Sequence, residues 1–133
     1  DFAYRHSVYQ KSHGIVLSVA FQLKKGDKQE IKAKMDDLMG RRKEKQPLEY
    51  PSAGSTFKRP EGYFAGKLVM DSGLRGYQVG GARISEKHCG FVINAGDATA
   101  KDVRTLMDNV RDIVYEKYGV TLEPEVKFLG EFD

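Results

Sequence analysis

A short polar segment between two prolines carries the residues of this chain that are best suited to chemistry. Positions 51–60 read Pro-Ser-Ala-Gly-Ser-Thr-Phe-Lys-Arg-Pro. Ser55 follows Gly54, which has no side chain to obstruct a ligand, and Lys58 and Arg59 place positive charge nearby. A serine hydroxyl is a weak acid, so it would protonate only a strongly basic group such as a carbanion. The segment predicts a ligand-binding loop, and a serine that only hydrogen-bonds nearby backbone is the simpler alternative.

Two further side chains could act on a charged substrate. Arg5, within Tyr4-Arg5-His6-Ser7, offers a guanidinium that can clamp a carboxylate through two hydrogen bonds. Glu125 lies near the end of the chain in a segment that alternates apolar and polar residues. Taken alone, each of these residues fits a solvated surface position better than a catalytic one.

Motifs for nucleotide phosphates and metals do not occur in the sequence. It contains neither of the two glycine-rich phosphate-binding fingerprints. The histidines and Cys89 lack the spacing of metal ligands, so no metal site is predicted.

Composition describes an ordinary globular chain. Its 133 residues carry 22 Lys+Arg against 19 Asp+Glu, a net charge of +3, which accommodates an anionic ligand without indicating nucleic acid. A single cysteine excludes a disulfide within the chain, so a cytoplasmic location is expected. Every apolar run is far shorter than the roughly 20 residues that span a bilayer, so no membrane partner is expected.

Hydrophobic periodicity predicts the elements that must position these residues. The predicted strands are residues 14–23, 77–85, 90–95 and 120–130. The predicted helices are residues 27–43, 63–70 and a segment that begins at Thr99 and ends at Gly119. Residues 45–61 are predicted to form a long loop, and the Gly80-Gly81 pair indicates a bulge or a close backbone approach.

The two long helices are predicted to be amphipathic. Their predicted buried stripes are Ile31, Met35, Leu38 and Met39 in the first, and Val103, Leu106, Met107, Val110, Ile113 and Val114 in the second. Thr99 and Asp102 have the spacing of a capping box at the start of the second helix. The fold class predicted is α+β, with a mixed or mainly antiparallel sheet packed with two amphipathic helices.

Several segments match one family in order along the chain. They are residues 4–7, 45–60, 65–68, 71–76, 85–91, Asn94 and 122–126. Together they resemble the UDP-N-acetylenolpyruvoylglucosamine reductases, flavoenzymes that make UDP-N-acetylmuramate for bacterial peptidoglycan. The resemblance covers nearly the whole chain, and the segment around Ser55 is its most specific part. The short interval between Gly76 and Ser85 resembles the compact form of the family, which lacks an extra substrate loop.

The resemblance implies an FAD-dependent oxidoreductase that uses NADPH. Such an enzyme reduces the enolpyruvyl group of UDP-N-acetylglucosamine enolpyruvate, so the expected partner is a UDP-sugar. Expected roles are peptidoglycan synthesis and cell-wall biogenesis, and through them cell shape and cell division. Ser55 matches the family's proton donor, and Arg5 and Glu125 match residues that stabilise the enolised carboxylate.

The resemblance also assigns binding residues and domains. Tyr4, Lys45 and Arg59 match positions near the substrate's nucleotide or carboxylate, and Arg42 is the candidate for contact with the flavin. Residues 1–45 then resemble the tail of an FAD-binding domain, and 46–133 a substrate-binding domain. Because the chain starts at Asp1 and most of the family's FAD site is missing, it is expected to be a fragment that binds little FAD and is inactive alone. The sequence predicts no oligomeric state.

Two other functions fit parts of the sequence. An anion- or nucleic-acid-binding module would use the cations at 41–45, Lys58 and Arg59 together with Tyr50 and Phe57. A noncatalytic interaction domain would instead add a partner's strand to a sheet edge. A response to a UDP-sugar, but not to a generic polyanion, would separate both from the reductase.

Overall fold

The computed structural model describes residues 2–3, 6–12 and 14–131. The chain divides into two compact units, residues 1–34 and 35–133. The first unit contains two short antiparallel strands, β1 (Phe2–Ala3) and β2 (His6–Ser7), with Ala3 opposite His6. A single 3-10 turn over Val8–Gln10 follows them.

Residues 14–27 form neither helix nor strand, and their side chains are exposed. The strand predicted at 14–23 is therefore wrong, and Ile15 and Leu17 are 85% and 92% exposed. A strand persists only where its backbone groups find a neighbouring strand, and none of the residues that the structure describes pairs with this segment. The β-branched residues of this segment give it a high strand propensity, but propensity alone does not form a strand.

Helix α1 (Lys28–Lys45) confirms the helix predicted at 27–43, and it crosses the division between the two units. Asp27 accepts hydrogen bonds from the backbone nitrogens of Gln29 and Glu30, at 2.9 and 3.0 Å, which satisfies two donors of the first turn. The predicted buried stripe is wrong, because no residue of α1 is buried and Met35 is 64% exposed. An apolar stripe becomes buried only against a facing surface, and all four residues of this one are at least 49% exposed.

The second unit is built on a four-stranded antiparallel sheet with the strand order β3-β6-β5-β4. The strands are β3 (Ser52–Ser55), β4 (Gln78–Val79), β5 (Ala82–Ile84) and β6 (Phe91–Asn94). Two helices accompany the sheet, α2 (Ala65–Asp71) and α3 (Ala100–Tyr118). This arrangement confirms the predicted α+β class, and α2 and β6 confirm the short helix and the strand predicted there.

The predicted loop at 45–61 is wrong in part, because it contains β3. Ser52 lies opposite Ile93 and Ser55 opposite Phe91, so three steps along β3 match two along β6. Gly54 between them has a φ of +84°, which glycine adopts readily. The extra residue is a β-bulge, and pairing with β6 thus overrides the turn-like composition of the segment.

Residues 77–85 form a hairpin of β4 and β5 rather than one strand, with Gly80 at a φ of +53° in its turn. The predicted close approach at the glycine pair is confirmed. A Cβ on Gly81 would lie 2.0 Å from the carbonyl oxygen of Gly96. The glycine pair therefore reverses the chain and also lets the hairpin contact the loop before α3.

The final strand predicted at 120–130 is also wrong as an extended element. Only one antiparallel bridge forms there among the described residues, between Phe57 and Pro124. Proline has no N–H, and this pair is the type in which the facing residues exchange no hydrogen bond. The bonds that flank it run from Lys58 N to Glu123 O, at 2.8 Å, and from Glu125 N to Thr56 O, at 2.9 Å.

Helix α3 confirms its predicted ends and its buried face. Thr99 accepts a hydrogen bond from the backbone nitrogen of Asp102 at 3.1 Å, and the Asp102 carboxylate accepts one from that of Thr99 at 2.9 Å. Gly119 ends the helix in the left-handed region, at a φ of +64°. The core holds residues from α3 and from the sheet: Leu106, Met107, Val110, Val114, Ala82, Ile84 and Val92. Val103 and Ile113 are partly buried against it.

Candidate functional site

Ser55 is the last residue of β3, and its side chain is exposed. The bulge at Gly54 sets its position, because without the extra residue Ser55 would not lie opposite Phe91. The hydroxyl is thus presented to solvent from a strand, where its backbone is more firmly placed than in the loop that the sequence predicted.

Thr56 fixes the backbone next to Ser55 through three hydrogen bonds. Its nitrogen donates to the carbonyl oxygen of Gly90, and its carbonyl oxygen accepts from the nitrogen of Glu125, both at 2.9 Å. Its buried Oγ1 accepts from the nitrogen of Val92, also at 2.9 Å. Sequence reasoning missed Thr56, and only its place directly after the candidate serine could have indicated it.

Glu125 lies half-buried beside this strand. The backbone nitrogen of Glu125 donates to the carbonyl oxygen of Thr56, which directly follows Ser55. The backbone of the candidate acid therefore lies beside the strand that carries the candidate serine. The two positions are 70 residues apart in sequence, and the bridge between Phe57 and Pro124 fixes their register.

Both cations of the segment, Lys58 and Arg59, contact neighbouring side chains or backbone. The Nζ of Lys58 lies 2.5 Å from a carboxylate oxygen of Glu123. The Cζ of Arg59 lies 4.0 Å from the ring centroid of Phe64, and its Nε donates to the carbonyl oxygen of Tyr63 at 3.3 Å. Arg59 is exposed, so its guanidinium is accessible to an anionic ligand.

The other predicted site residues lie on α1 or outside the described residues. Arg42 and Lys45 lie exposed in the last turn of α1, where cations suit the helix dipole. The Nε of Arg42 donates to the side-chain oxygen of Gln46 at 3.1 Å. Tyr4 and Arg5 lie outside the described residues.

Two recesses lie near β3 and β6. The larger measures about 340 Å³, is mostly apolar, and has Ser52, Thr56, Val92, Met107 and Val126 among its lining residues. The smaller, which we call the Arg83 cleft, measures about 250 Å³ and is lined by Glu49, Tyr50, Arg83, Ser85, Glu86, Lys87 and Ile93. Sequence reasoning missed this cleft, because its residues come from three separate segments.

Electrostatic effects at the Arg83 cleft centre on Glu49. A hydrogen bond from its own backbone amide lowers the pKa of the Glu49 carboxyl, and the Lys87 ammonium adds to that effect. The Nζ of Lys87 lies 3.2 Å from one oxygen of this carboxylate. Glu49 and Lys87 therefore form an ion pair at the rim of the cleft.

The described part of the chain contains neither a metal-binding cluster nor a helix that could span a membrane. Across residues 2–3, 6–12 and 14–131, no three or more His, Cys, Asp or Glu side chains come together as a metal-binding group. No helix in these same ranges has the length and apolar composition needed to cross a membrane.

The fold and the site define a small α+β domain that carries a serine hydroxyl and a glutamate on adjacent backbone segments. Residues 46–129 match the sequence profile of the family described as "UDP-N-acetylenolpyruvoylglucosamine reductase, C-terminal domain". The chain belongs to this family, which confirms the resemblance predicted from its segments.

Named relatives agree with the family match. The chain is 66% identical over 131 residues to the UDP-N-acetylenolpyruvoylglucosamine reductase of Lachnoclostridium phytofermentans, covering 98% of this chain and 42% of that protein. It is 57% identical over 130 residues to the reductase of Caldanaerobacter subterraneus, covering 98% of this chain and 43% of the relative. The chain thus spans about two fifths of the length of these relatives.

A solved structure shows the same relation. The crystal structure of the UDP-N-acetylenolpyruvylglucosamine reductase from Thermus caldophilus matches with a TM-score of 0.62 and 40% identity. The match covers 79% of this chain and 37% of that one.

Proposed function

We propose that this chain is the substrate-binding part of a UDP-N-acetylenolpyruvoylglucosamine reductase. The assembled enzyme would reduce UDP-N-acetylglucosamine enolpyruvate to UDP-N-acetylmuramate in cytoplasmic peptidoglycan synthesis. The proposal is supported by the family match over residues 46–129. The single structural observation that carries it is the hydrogen bond from Glu125 to Thr56, which sets the candidate acid beside the segment of the candidate proton donor.

Ser55 would deliver the proton of this reduction. The reaction adds a hydride and a proton across the enolpyruvyl double bond, and the carbon next to the carboxylate becomes carbanionic as the hydride arrives. A carbanion is basic enough to take the proton from a serine hydroxyl. The exposed Ser55 hydroxyl, next to a glycine without a Cβ, leaves room for the substrate carbon.

Glu125 and Arg5 would stabilise the charge that develops on the substrate carboxylate. Fixed groups directed at developing charge lower the barrier more than they bind the ground state. A glutamate can do so only by donating a hydrogen bond, so Glu125 must be protonated or act through a water molecule. Tyr4, Lys45 and Arg59 would hold the nucleotide diphosphate or the carboxylate.

FAD and NADPH are the cofactors we propose for the assembled enzyme, in which flavin that NADPH has reduced would supply the hydride. The described residues do not fit a complete flavin site. Arg42, the candidate contact, lies exposed on a helix with no buried residue, and its Nε is engaged by Gln46. We therefore assign residues 46–133 to the substrate and residues 1–45 to the C-terminal tail of an FAD-binding domain.

A chimaera tests the proposal. This chain would replace the 131 matching residues of the Lachnoclostridium phytofermentans relative. We expect the chimaera to oxidise NADPH only when UDP-N-acetylglucosamine enolpyruvate is present. Ser55→Ala should lower kcat about 100- to 10,000-fold, the usual contribution of a positioned proton donor.

Ser52→Ala is the matched control, because Ser52 is also an exposed serine of β3 and lies at its other end. We expect it to retain the activity of the chimaera. Full activity of Ser55→Ala would contradict the proton-donor role. A chimaera that folds and binds flavin but never turns over would contradict the proposed function itself.

A further inference from the structure

The Arg83 cleft contains a cation on the sheet face opposite the core. Arg83 is the middle residue of β5, and it lies opposite Ile93 of β6 and Gln78 of β4. Its neighbours Ala82 and Ile84 are buried in the core. Because side chains alternate along a strand, Arg83 projects to the other face, where the cleft lies.

Arg83 carries a hydrogen-bond donor that nothing in the described structure satisfies. Its Nε is shut off from solvent, and no described residue accepts its hydrogen. A guanidinium stays protonated at every physiological pH, so the cost of the unsatisfied donor is not relieved by loss of the proton. Buried charged donors are normally paired, so a partner from outside the described residues would have to reach this guanidinium through its terminal nitrogens, which are not shut off from solvent.

The neighbouring polar groups are engaged elsewhere. The Glu49 carboxylate lies 3.2 and 3.4 Å from the Nζ of Lys87. The Ser85 Oγ accepts from the backbone nitrogens of Lys87 and His88, at 3.2 and 3.3 Å, and its own hydrogen can still be donated. The carbonyl oxygen of Glu86 accepts from Arg75.

The ring of Tyr50 limits the direction from which a ligand can approach. Its centroid lies 5.9 Å from the Cζ of Arg83, within the range of a cation–π contact. The ring therefore faces the guanidinium plane, and the N–H groups along the edge of that plane remain for hydrogen bonds to a ligand. That edge matches two oxygen atoms lying in one plane.

We propose that the Arg83 cleft binds one oxyanion group of a small molecule, a carboxylate or a phosphate, with Arg83 as the anchor. The Ser85 hydroxyl and the Lys87 ammonium, both of which line the cleft, flank the anion. The volume of about 250 Å³ admits such a group, whereas one water molecule occupies about 30 Å³ in the liquid. Glu49 and Glu86 on the rim favour a compact single anion over an extended polyanion, which would meet their like charge. This site is independent of the proposed reductase function.

Nuclear magnetic resonance of the full 133-residue chain tests the site directly. The side-chain Nε–H signal of Arg83 is followed while inorganic phosphate or acetate is added, with chloride at equal ionic strength as the reference. We expect a saturable shift with phosphate or acetate and none with chloride. The anion that saturates at the lower concentration identifies the ligand class. Equal behaviour of all three salts would overturn the proposal.

Two variants separate this site from general charge attraction. Arg83→Gln and Arg41→Gln remove the same charge, and Arg41 is an exposed arginine of α1 paired with Asp37. We expect Arg83→Gln to weaken binding of the preferred anion about tenfold or more, and Arg41→Gln to leave it unchanged. Equal losses in both variants would refute a specific site. If Arg83→Gln does not fold, the titration of the unmodified chain still decides.

Discussion

The backbone nitrogen of Glu125 donates a hydrogen bond to the carbonyl oxygen of Thr56, with 2.9 Å between the two atoms. Thr56 is buried and directly follows Ser55. A displacement of the segment that carries Glu125 would therefore move the strand that carries Ser55. The two candidate catalytic residues are joined through backbone, which is stiffer than a side-chain contact.

Loss of the Thr56 hydroxyl should loosen this frame. Thr56→Val keeps the shape of the side chain but leaves the buried nitrogen of Val92 without its acceptor, so we expect the free energy of unfolding to fall by about 1–3 kcal/mol. Denaturant unfolding measures the loss. Hydrogen exchange at Val92 should accelerate in Thr56→Val and stay slow in Thr56→Ser, which keeps the hydroxyl. Slow exchange in both variants would show that the hydroxyl does not protect this amide.

Alanine at Gly81 should be strongly destabilising. The new Cβ would lie 2.0 Å from the carbonyl oxygen of Gly96, so the backbone has to move, and overpacking of this kind costs about 1–3 kcal/mol. Gly40→Ala provides a contrast of opposite sign, because a Cβ there meets no atom within 4 Å. Gly40 lies inside α1, so alanine should stabilise that helix by about 0.5–1 kcal/mol. Thermal unfolding measured by circular dichroism would compare the two variants, and a Gly81→Ala chain as stable as the original would contradict the close approach.

Asp102 should make stability depend on acid pH. Hydrogen bonds from Thr99 and then from the backbone of Gly81 lower the pKa of this carboxyl below its ordinary value of 3.8. A group whose pKa is lowered by folding stabilises the fold above its unfolded pKa, and the effect is lost as the pH falls through the folded value. The unmodified chain should thus be more stable than Asp102→Asn near neutrality, and the difference should begin to shrink below about pH 4 and vanish once the pH is below the lowered pKa of the folded state.

Melting temperatures measured from neutral to acid pH would test this. Asp112→Asn is the control, since Asp112 is an exposed aspartate of the same helix. A constant difference between the original chain and Asp102→Asn across the whole range would contradict the role of the charge.

Flavin should bind poorly to this chain alone. Arg42 lies exposed on α1 and bonds to Gln46, and no residue of this helix is buried, so the described residues around Arg42 do not enclose an isoalloxazine ring. Equilibrium dialysis of the 133-residue chain against FAD should leave far less than one flavin per chain. The chimaera with the Lachnoclostridium phytofermentans relative is the positive control. Stoichiometric flavin on the isolated chain would contradict the prediction that most of the flavin site is missing from it.

The sequence predicted the elements whose signals are local. Helix α3 has a capping box, a regular apolar stripe and a terminal glycine, and each of these signals is confirmed. The segment at 14–23 and the stripe of α1 have equally clear patterns, but they lack facing surfaces among the described residues. Periodicity reports which side a segment would bury and not whether a partner is present.

The candidate site was predictable in its residue types but not in its framework. The polar composition around Ser55 indicated a loop, whereas pairing between β3 and β6 makes it a bulged strand. That pairing joins segments some 40 residues apart, so it cannot be predicted from the propensities of neighbouring residues. The positions of Thr56 and Arg83 depend on the same long-range register. The roles of Ser55, Glu125, Arg5 and the binding residues stay predictions.

The carboxylate of Asp102 accepts a hydrogen bond from the backbone nitrogen of Thr99, and it lies so close to the tip of the hairpin that a Cβ on Gly80 would be 2.4 Å from its Cγ. The side chain that completes the capping box of α3 therefore also packs against the hairpin turn. Helix and hairpin should then open together as a single cooperative unit, which makes this junction the place where local unfolding of the sheet is coupled to fraying of the helix.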